Sequence, residues 1–337
     1  MKTILTLAAA LALAAGCSAE APKQAAVLAG APDGPTTGRP NPSALFAHTE
    51  KTVPAGREIG WAVLDLGHGG VAGQNPTLTY PQQSVIKLWL AAMVLDLVDR
   101  GEARLDERIT VTRADLGFPY QPIAGKVDAD GYPATLEELV RYIVIESDNP
   151  SADVLLRRVG GPQALTAWLR GKGVQGITVD RTERDLHAVI AEMRAAAPER
   201  REALMNAFVA GEGDGATPGA TVDALAKLHG GELLSPQSTR LLLSIMAETT
   251  TGPKRVKAGL EPGWRWAHKT GSGGLVGGRS MGTNDVGILT APDGHAYAVA
   301  VYISGSDLPV ERQEAIMAEV ARGVIAQWKQ DKARTAG

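Results

Sequence analysis

The segment that decides the fold is residues 80–96, which read YPQQSVIKLWLAAMVLD. Lys87 is the only charged residue between Tyr80 and Asp96, so the run predicts a helix that is buried on nearly all sides. Ser84 lies three residues before Lys87, which puts both side chains on one helix face. A hydroxyl beside a buried amine can act as a nucleophile. The simpler interpretation is that Ser84 caps the helix and Lys87 is exposed.

The composition is that of a globular protein. The chain has 337 residues, of which 44% are hydrophobic and 21% charged. This length can bury a full core in one large domain or in two lobes. The net charge of -3 gives no argument for binding nucleic acid or an anionic membrane surface. A single cysteine, Cys17, excludes a disulfide bond within the chain.

The N-terminus predicts export. Residues 1–16 begin with a positive charge and continue with the apolar run 4–15, which is typical of a signal peptide. Cys17 follows two small residues, as in a bacterial lipobox, so we expect a periplasmic lipoprotein anchored through this cysteine. The alternative is ordinary cleavage, for example after Ala21. Residues 17–42 are rich in Ala, Gly and Pro and predict a flexible tether.

The apolar periodicity predicts strands near both ends of the domain and helices between them. Strands are expected at 59–66, 265–270, 286–290 and 295–303, and helices at 43–52, 84–95, 135–145, 152–159, 163–170, 188–193, 200–209, 222–228, 238–248 and 310–328. The pattern indicates a two-lobed α/β (α+β) domain over residues 43–330, followed by a short C-terminal tail at 331–337. One lobe is an antiparallel sheet flanked by helices, and the other is an inserted all-helical lobe, with a cleft between them.

Three further motifs lie along the chain. SDN occupies residues 147–149 at a helix end, KTG occupies 269–271 on an edge strand, and the charge-dense segment DRTERDLH occupies 180–187. Together with the S-x-x-K motif at 84–87, SDN and KTG follow one another in the order found in class A serine β-lactamases, which the chain resembles over residues 43–329. The resemblance implies hydrolysis of the β-lactam ring of penicillins and cephalosporins through a serine acyl-enzyme, and so antibiotic resistance.

The resemblance also implies the roles of the catalytic residues. Ser84 is the acylating nucleophile and Lys87 moves its proton. Ser147 carries a proton towards the leaving lactam nitrogen. The oxyanion hole is formed by the backbone N–H groups of Ser84 and Ser272.

Substrate binding is implied for a second group of residues. Asn149 holds the lysine and the substrate's side-chain amide, and Lys269 supplies positive charge. Thr270 and Ser272 donate hydrogen bonds to the substrate carboxylate. Tyr120 matches the aromatic residue at the rim of the family's cleft, although a half-buried loop tyrosine has the same pattern.

Glu183 decides between a hydrolase and a protein that is only acylated. In class A enzymes a carboxylate at this place on the omega loop activates the water that cleaves the acyl ester. His187 stands where the family usually has an asparagine that helps to hold this water. Residues 188–215 are an insert for which a helical pair is predicted, and an Arg181–Asp214 ion pair across the loop is expected.

The substrate carboxylate also requires a cation. Arg255 matches one of the places from which class A enzymes bring an arginine, and Arg279 is a second candidate.

Two other functions stay open from the sequence. One is a D,D-peptidase or another penicillin-binding enzyme of peptidoglycan, which Glu183 disfavours. The other is a non-hydrolysing sensor, for which no signalling segment is evident. We expect no metal and no organic cofactor, because His68, His229, His268 and His295 are dispersed and lack metal-ligand spacing. The expected partner is a small β-lactam molecule, and the protein is expected to be a monomer that binds no nucleic acid.

Overall fold

The computed structural model describes residues 42–335. The predicted signal peptide, Cys17, nearly all of the predicted tether and residues 336–337 lie outside this range. None of the described helices is long and apolar enough to cross a membrane.

Within the described residues, helices and strands follow in the predicted order. The α-helices are α1 Ser43–Thr52, α2 Ile86–Asp99, α3 Leu136–Arg141, α4 Asn149–Arg158, α5 Pro162–Gly171, α6 Glu183–Ala195, α7 Pro198–Val209, α8 Pro218–His229, α9 Pro236–Ala247 and α10 Val310–Thr335. The strands are β1 Ile59–Asp65, β2 Val71–Gln74, β3 Tyr80–Pro81, β4 Arg108–Val111, β5 Tyr132–Thr135, β6 Gly215–Ala216, β7 Arg265–Ser272, β8 Leu275–Val276, β9 Arg279–Ser280, β10 Thr283–Thr290 and β11 Ala296–Ile303.

The main sheet joins the two ends of the domain. Its five strands run antiparallel in the order β2-β1-β11-β10-β7, so β1 pairs with β11 across most of the sequence. Side chains alternate between its faces, since Trp61 and Val63 join a core with α1 and α10, while Ala62 faces the helical lobe. This arrangement confirms the predicted fold class.

Helix α2 is the centre of the helical lobe. Every residue from Ile86 to Leu97 is buried, including Lys87. Asp96, which bounds the apolar run, is also buried and accepts hydrogen bonds from Trp168 Nε1 at 2.9 Å and Lys172 Nζ at 2.7 Å. These donors compensate the burial of the Asp96 carboxylate, so the helix can stay buried as far as Leu97.

Several element bounds differ from the sequence-based expectation. Helix α4 begins at Asn149 and not after Pro150, because proline fits the first helical turn, where its missing N–H costs nothing. Strand β2 was not predicted; it returns along β1 after a tight turn. The predicted tail is helical as far as Thr335, so α10 extends five residues beyond the expected boundary at 330.

Helices α1 and α10 lie side by side on one face of the sheet. Ser43 Oγ donates to Gln330 Oε1 at 3.1 Å, and the backbone N–H of Ala44 donates to Gln327 Oε1 at 3.0 Å. The first and last helices of the domain are therefore joined directly.

Candidate active site

Ser84 lies in a short helical turn, Gln83–Val85, that leads directly into α2. The turn is fixed to the sheet by Asn284 on β10, whose Nδ2 donates to the carbonyl oxygens of Pro81 and Gln82, both at 2.9 Å. A side chain at Gly271 would place its Cβ 2.5 Å from the Gln82 carbonyl oxygen. Glycine in the KTG motif thus allows β7 to approach the start of the serine helix.

Lys87 is fully buried and surrounded by oxygen atoms. Its Nζ donates to Ser84 Oγ at 3.0 Å, to the Ser147 carbonyl oxygen at 2.8 Å and to Asn149 Oδ1 at 2.5 Å. Glu183 Oε1 lies 3.1 Å from the same nitrogen. The structure thus contradicts the interpretation of Lys87 as an exposed residue, and it compensates the buried charge with a carboxylate and three polar acceptors.

The SDN motif joins two helical segments. Ser147 follows a single π-helical turn, Tyr142–Glu146, and adopts a left-handed backbone conformation with φ of 62°. Asp148 caps α4 by accepting the Ser151 N–H at 2.7 Å. Asn149 is buried in the first turn of α4, where its carboxamide reaches Lys87.

Lys269 lies on the edge strand β7 and is fully buried. Its Nζ donates to Ser147 Oγ at 2.9 Å and to the Thr270 carbonyl oxygen at 2.9 Å. Burial, and secondarily the positive charge of Lys87, lower the pKa of Lys269 well below its usual value. Lys269 can therefore give up a proton more readily than an exposed lysine.

Backbone strain is concentrated around the serine. Four non-glycine residues among those described have positive φ, and three of them line one cleft, namely Gln83 (52°), Tyr120 (63°) and Ser147 (62°). Left-handed conformations cost about 1–3 kcal/mol each and persist where the surroundings enforce them. Their position beside Ser84 is typical of an active site.

Glu183 is the first residue of α6, which is the first helix of the predicted insert pair. Thr182 caps α6 through a reciprocal pair of contacts with Asp185, and this cap fixes the start of the helix. The Glu183 side chain is buried, and its Oε1 has no properly oriented hydrogen-bond donor in residues 42–335, although Lys87 Nζ is close. The expected ion pair between Arg181 Nη1 and Asp214 Oδ2 is present at 3.1 Å.

Asp153 on α4 holds the backbone that carries Glu183. Its Oδ1 accepts the Glu183 N–H at 2.7 Å and its Oδ2 accepts the Arg184 N–H at 3.1 Å. Burial, with a further contribution from the negative charge of Glu183, raises the pKa of Asp153 to about 6. The sequence analysis missed this residue, which lies four positions after Asn149, one helical turn beyond the SDN motif.

A cleft of about 360 Å³ opens above these groups. Its lining comes from the two lobes and from the insert, and consists of Gln83, Ser84, Pro119, Tyr120, Ser147, Asn149, Glu183, Leu186, His187, Ile190, Arg194, Thr251, Gly252, Thr270, Ser272 and Gly273. Lys87 and Lys269 lie beneath this surface and act on the cleft through the side chains they contact.

The predicted substrate-binding residues occupy different depths. Tyr120 is 56% exposed at the rim, and His187 lies on α6 with its Nε2 3.0 Å from Asn149 Nδ2. Burial, more than its charged neighbours, lowers the pKa of His187. Thr270 and Ser272 line the cleft from β7.

Neither predicted arginine lines the cleft. Arg255 is buried behind Ser272, and its Nη2 donates to Ser272 Oγ at 2.6 Å while its Nη1 donates to the carbonyl oxygens of Gly271 and Asn284. Arg279 instead bonds Asn206 Oδ1 on α7 at 2.8 Å. Arg255 therefore orients Ser272 in this structure, since its guanidinium is occupied by these acceptors.

Eight lining residues had not been predicted as site residues: Gln83, Pro119, Leu186, Ile190, Arg194, Thr251, Gly252 and Gly273. Ile190 and Arg194 reach the cleft only because α6 continues past the omega loop, which no local pattern reveals. Thr251 could have been found from its position four residues before Arg255; its Oγ1 is 2.6 Å from Thr270 Oγ1.

The prediction that the histidines are dispersed is wrong for two of them. His68 and His295 lie together with Asp65, with one potential ligand atom of each within 4.8 Å of the others. The antiparallel pairing of β1 with β11 brings the turns after β1 and before β11 side by side, and spacing in the sequence cannot reveal this.

A serine beside a buried lysine, with a carboxylate 3.1 Å from that lysine and a two-lobed α/β frame around the cleft, defines a serine hydrolase of the acyl-enzyme type. The chain belongs to the β-lactamase enzyme family, whose sequence profile matches residues 47–328. Its relatives confirm the resemblance to class A β-lactamases. The activity of this chain is therefore hydrolysis of β-lactams.

Known proteins are similar to this chain over most of its length. The extended-spectrum β-lactamase PER-1 of Pseudomonas aeruginosa is 35% identical over 249 residues, which cover 74% of this chain and 75% of that protein. The crystal structure of TLA-1 extended spectrum β-lactamase has a TM-score of 0.75 and 31% identity, covering 86% of this chain and 99% of its own. The structure of an ancestral class A β-lactamase has a TM-score of 0.69 and 35% identity, and the match covers 84% of this chain and 98% of that chain.

Proposed function

We propose that Ser84 attacks the β-lactam carbonyl and that Glu183 directs the water which later cleaves the acyl ester. This proposal rests on the position of Lys87, whose Nζ lies 3.0 Å from Ser84 Oγ and 3.1 Å from Glu183 Oε1. The Lys87 ammonium can give one proton to the Glu183 carboxylate and then take up the proton that leaves Ser84. Such hydrolysis is the activity by which β-lactamases confer antibiotic resistance.

The opening of the ring requires a proton on the lactam nitrogen. Ser147 Oγ lines the cleft, and it accepts a hydrogen bond from Lys269 Nζ at 2.9 Å. The lowered pKa of Lys269 supports a role as the source of this proton. We assign Ser147 as the group that passes the proton on, and the backbone N–H groups of Ser84 and Ser272 as the oxyanion hole.

Breakdown of the acyl-enzyme depends on Glu183. Its buried Oε1, which has no well-oriented donor among residues 42–335, can accept the proton of a water molecule that attacks the ester. His187 supports this step because it lies on the same helix, one turn away, and next to Asn149. This role separates a hydrolase from a penicillin-binding acyl acceptor.

The test is to replace Glu183 by alanine. We expect the wild type to turn over both a penicillin and a chromogenic cephalosporin many times. Glu183→Ala should lower kcat by about 10²–10⁴-fold, because the general base is lost, and should accumulate an acyl-enzyme detectable by mass spectrometry. Glu192→Ala, an exposed carboxylate on the same helix, should behave as wild type. A wild type that gives one stoichiometric burst and then stops contradicts the proposal.

We also propose that the chain is exported and held at the membrane surface of the periplasm by a lipid on Cys17, and that the domain acts as a monomer. The apolar leader, the small residues before Cys17 and the tether support the anchor. All groups assigned to the reaction come from one chain, which supports a monomer; light scattering measures its mass.

Fractionation of expressing cells tests the anchor. Cys17→Ser should move the protein from the membrane fraction to the soluble fraction, because lipid attachment requires the thiol. Ser18→Ala is the matched control and should leave the protein at the membrane. An unchanged distribution of Cys17→Ser removes the anchor from the proposal.

A further inference from the structure

A second group of polar side chains lies at one end of the sheet. Asp65 is the last residue of β1, His68 lies in the turn before β2, and His295 lies in the turn between β10 and β11. We call Asp65, His68 and His295 the turn cluster. The backbone N–H of Leu66 donates to the Ala296 carbonyl oxygen at 3.0 Å, so the two turns are held against each other. None of the three residues lines the catalytic cleft.

The Asp65 carboxylate is oriented by the backbone. Its Oδ1 accepts the N–H groups of Gly67 and His68, both at 2.9 Å. The same carboxylate contacts both imidazoles, with 2.8 Å between Oδ1 and His295 Nε2 and 3.3 Å between Oδ2 and His68 Nδ1. One carboxylate therefore joins two imidazole nitrogens that come from distant parts of the chain.

The packing leaves room for both imidazole rings. Their centroids are 5.0 Å apart with an interplanar angle of 23°. A side chain at Gly67 would place its Cβ 2.6 Å from His295 Cε1, so the glycine permits the close approach of this ring. Asp65 is buried and the His295 side chain is 20% exposed, whereas the His68 side chain is 58% exposed and so accessible to an ion from solvent.

We propose that the turn cluster binds one divalent transition-metal ion of the zinc class, with water completing the coordination. Two imidazole nitrogens and one carboxylate oxygen are ligands that suit zinc and neighbouring ions, whereas calcium and magnesium prefer oxygen alone. Each neutral imidazole coordinates through the nitrogen that faces Asp65 and keeps its single proton on the other ring nitrogen. The backbone donors to Asp65 orient the carboxylate ligand.

The bound ion would connect the turn after β1 to the hairpin of β10 and β11. Its ligands come together only in the folded chain, since 227 positions separate His68 from His295. An ion that binds the folded state and not the unfolded state stabilises the protein by mass action. The site lies outside the catalytic machinery, so its occupation should leave β-lactam turnover unchanged.

Calorimetric titration of the full chain, without an affinity tag, with Zn²⁺ tests the site. We expect saturable binding of about one ion per chain, together with a higher thermal unfolding midpoint in Zn²⁺ than in EDTA. His68→Ala and His295→Ala should each weaken binding about tenfold or more and abolish the shift in midpoint. His229→Ala is the control, because this exposed histidine on α8 is not one of the residues of the turn cluster.

Two results would overturn the proposal. One is a wild type that shows no saturable Zn²⁺ binding and no shift in midpoint. The other is binding that both variants retain, which would assign the ion to another place. His68 is exposed, so His68→Ala should fold and turn over substrate as wild type, and it keeps the test valid if His295→Ala folds poorly. Co²⁺ in place of Zn²⁺ gives visible absorption bands that report the ligand set directly.

Discussion

In the proposed mechanism, Lys87 takes part in both acylation and deacylation. An ammonium group has three protons, yet four oxygens lie within 3.1 Å of its Nζ. The carboxylate oxygen of Glu183 is the one whose alignment does not meet hydrogen-bond geometry. The lysine can therefore shift a proton between Ser84 and Glu183 without a large movement of its side chain.

Asp153 places Glu183 without touching the cleft. Because its pKa of about 6 in the folded protein lies above the usual 3.8, the folded state binds a proton more tightly than the unfolded chain. This carboxyl therefore favours the folded state below about pH 4, and its contribution falls as the pH rises through 6. Between pH 4 and pH 7 the contribution of this carboxyl to the free energy of unfolding falls by roughly 2–3 kcal/mol.

Replacement of Asp153 by asparagine tests this linkage. The variant lacks the titrating group, so the free energy of unfolding of the wild type minus that of Asp153→Asn should fall by roughly 2–3 kcal/mol between pH 4 and 7. Urea unfolding at several pH values measures it. We also expect slower deacylation, because an amide NH₂ cannot accept the N–H of Glu183 or Arg184.

The matched control is Asp223→Asn, since desolvation also raises the pKa of this carboxyl, which lies on the exposed side of α8 and outside the cleft. It should leave deacylation unchanged. A stability difference between the wild type and Asp153→Asn that is flat with pH contradicts the argument.

The motif residues could be predicted because short patterns carry them. Ser84, Lys87, Ser147 and Lys269 converge as expected, since each motif fixes its own local geometry at a helix start, a helix end or an edge strand. The depth of Arg255 could not be predicted. It depends on which acceptors from β7 and β10 surround the guanidinium, and those contacts form only in the folded chain.

At the scale of elements, α6 and α7 form a unit with a small core of its own. Seven buried side chains from α6, α7 and the region of β8 and β9 pack together, namely Leu186, Ile190, Met193, Met205, Phe208, Val276 and Met281. The insert therefore attaches to the sheet lobe beside the cleft while α6 contacts α4 of the helical lobe. The first turn of α6 carries Glu183, so the packing of α6 and α7 sets the position of the carboxylate that we propose as the general base.

The Arg181–Asp214 ion pair closes the base of this unit. Asp214 Oδ1 also accepts the N–H groups of Asp180 and Arg181, and burial raises the pKa of its carboxyl. We expect Arg181→Ala to destabilise the protein by about 1–3 kcal/mol, because it leaves a largely buried carboxylate without its cation. Acyl-enzyme should also persist longer, as measured by mass spectrometry after a substrate pulse.

Arg200→Ala gives the comparison within the same insert. Arg200 pairs with Glu192 in an exposed position, where ion pairs contribute at most about 1 kcal/mol. If Arg181→Ala and Arg200→Ala lose the same stability and deacylate at the same rate, the Arg181–Asp214 ion pair does not hold the omega loop in place. The sequence predicted this pair and the helical character of the insert, but not that α6 starts at Glu183 itself.

At the scale of the whole molecule, the sheet separates two cores. Helices α1 and α10 cover one face, and the helical lobe covers the other. The fold class could be predicted because strand patterns stand at both ends of the domain. The short β2, β4 and β5 could not, since their few residues carry no clear alternation.

Replacing Leu45 tests whether the core between the sheet, α1 and α10 is independent of the catalytic cleft. Leu45 is 3% exposed and packs over Gly323, where a Cβ would lie 2.7 Å from Leu45 Cδ1. Leu45→Ala should lower the free energy of unfolding by about 2–4 kcal/mol, because it leaves a cavity between α1 and α10. Urea unfolding measures this loss, and kcat/KM at 25 °C should stay unchanged. Glu50→Ala, exposed on the same helix, should cost no more than about 0.5 kcal/mol.

The contact between Ser43 and Gln330 places the two ends of the domain beside each other. A short linker from the end of α10 to the start of α1 could therefore close the domain into a ring. New ends could then be opened at the exposed turn of Gly230 and Gly231, between α8 and α9, without cutting the sheet or the serine helix. Such a circular permutant should keep the same cleft, because the packing of the two lobes does not depend on the order in which their elements are connected.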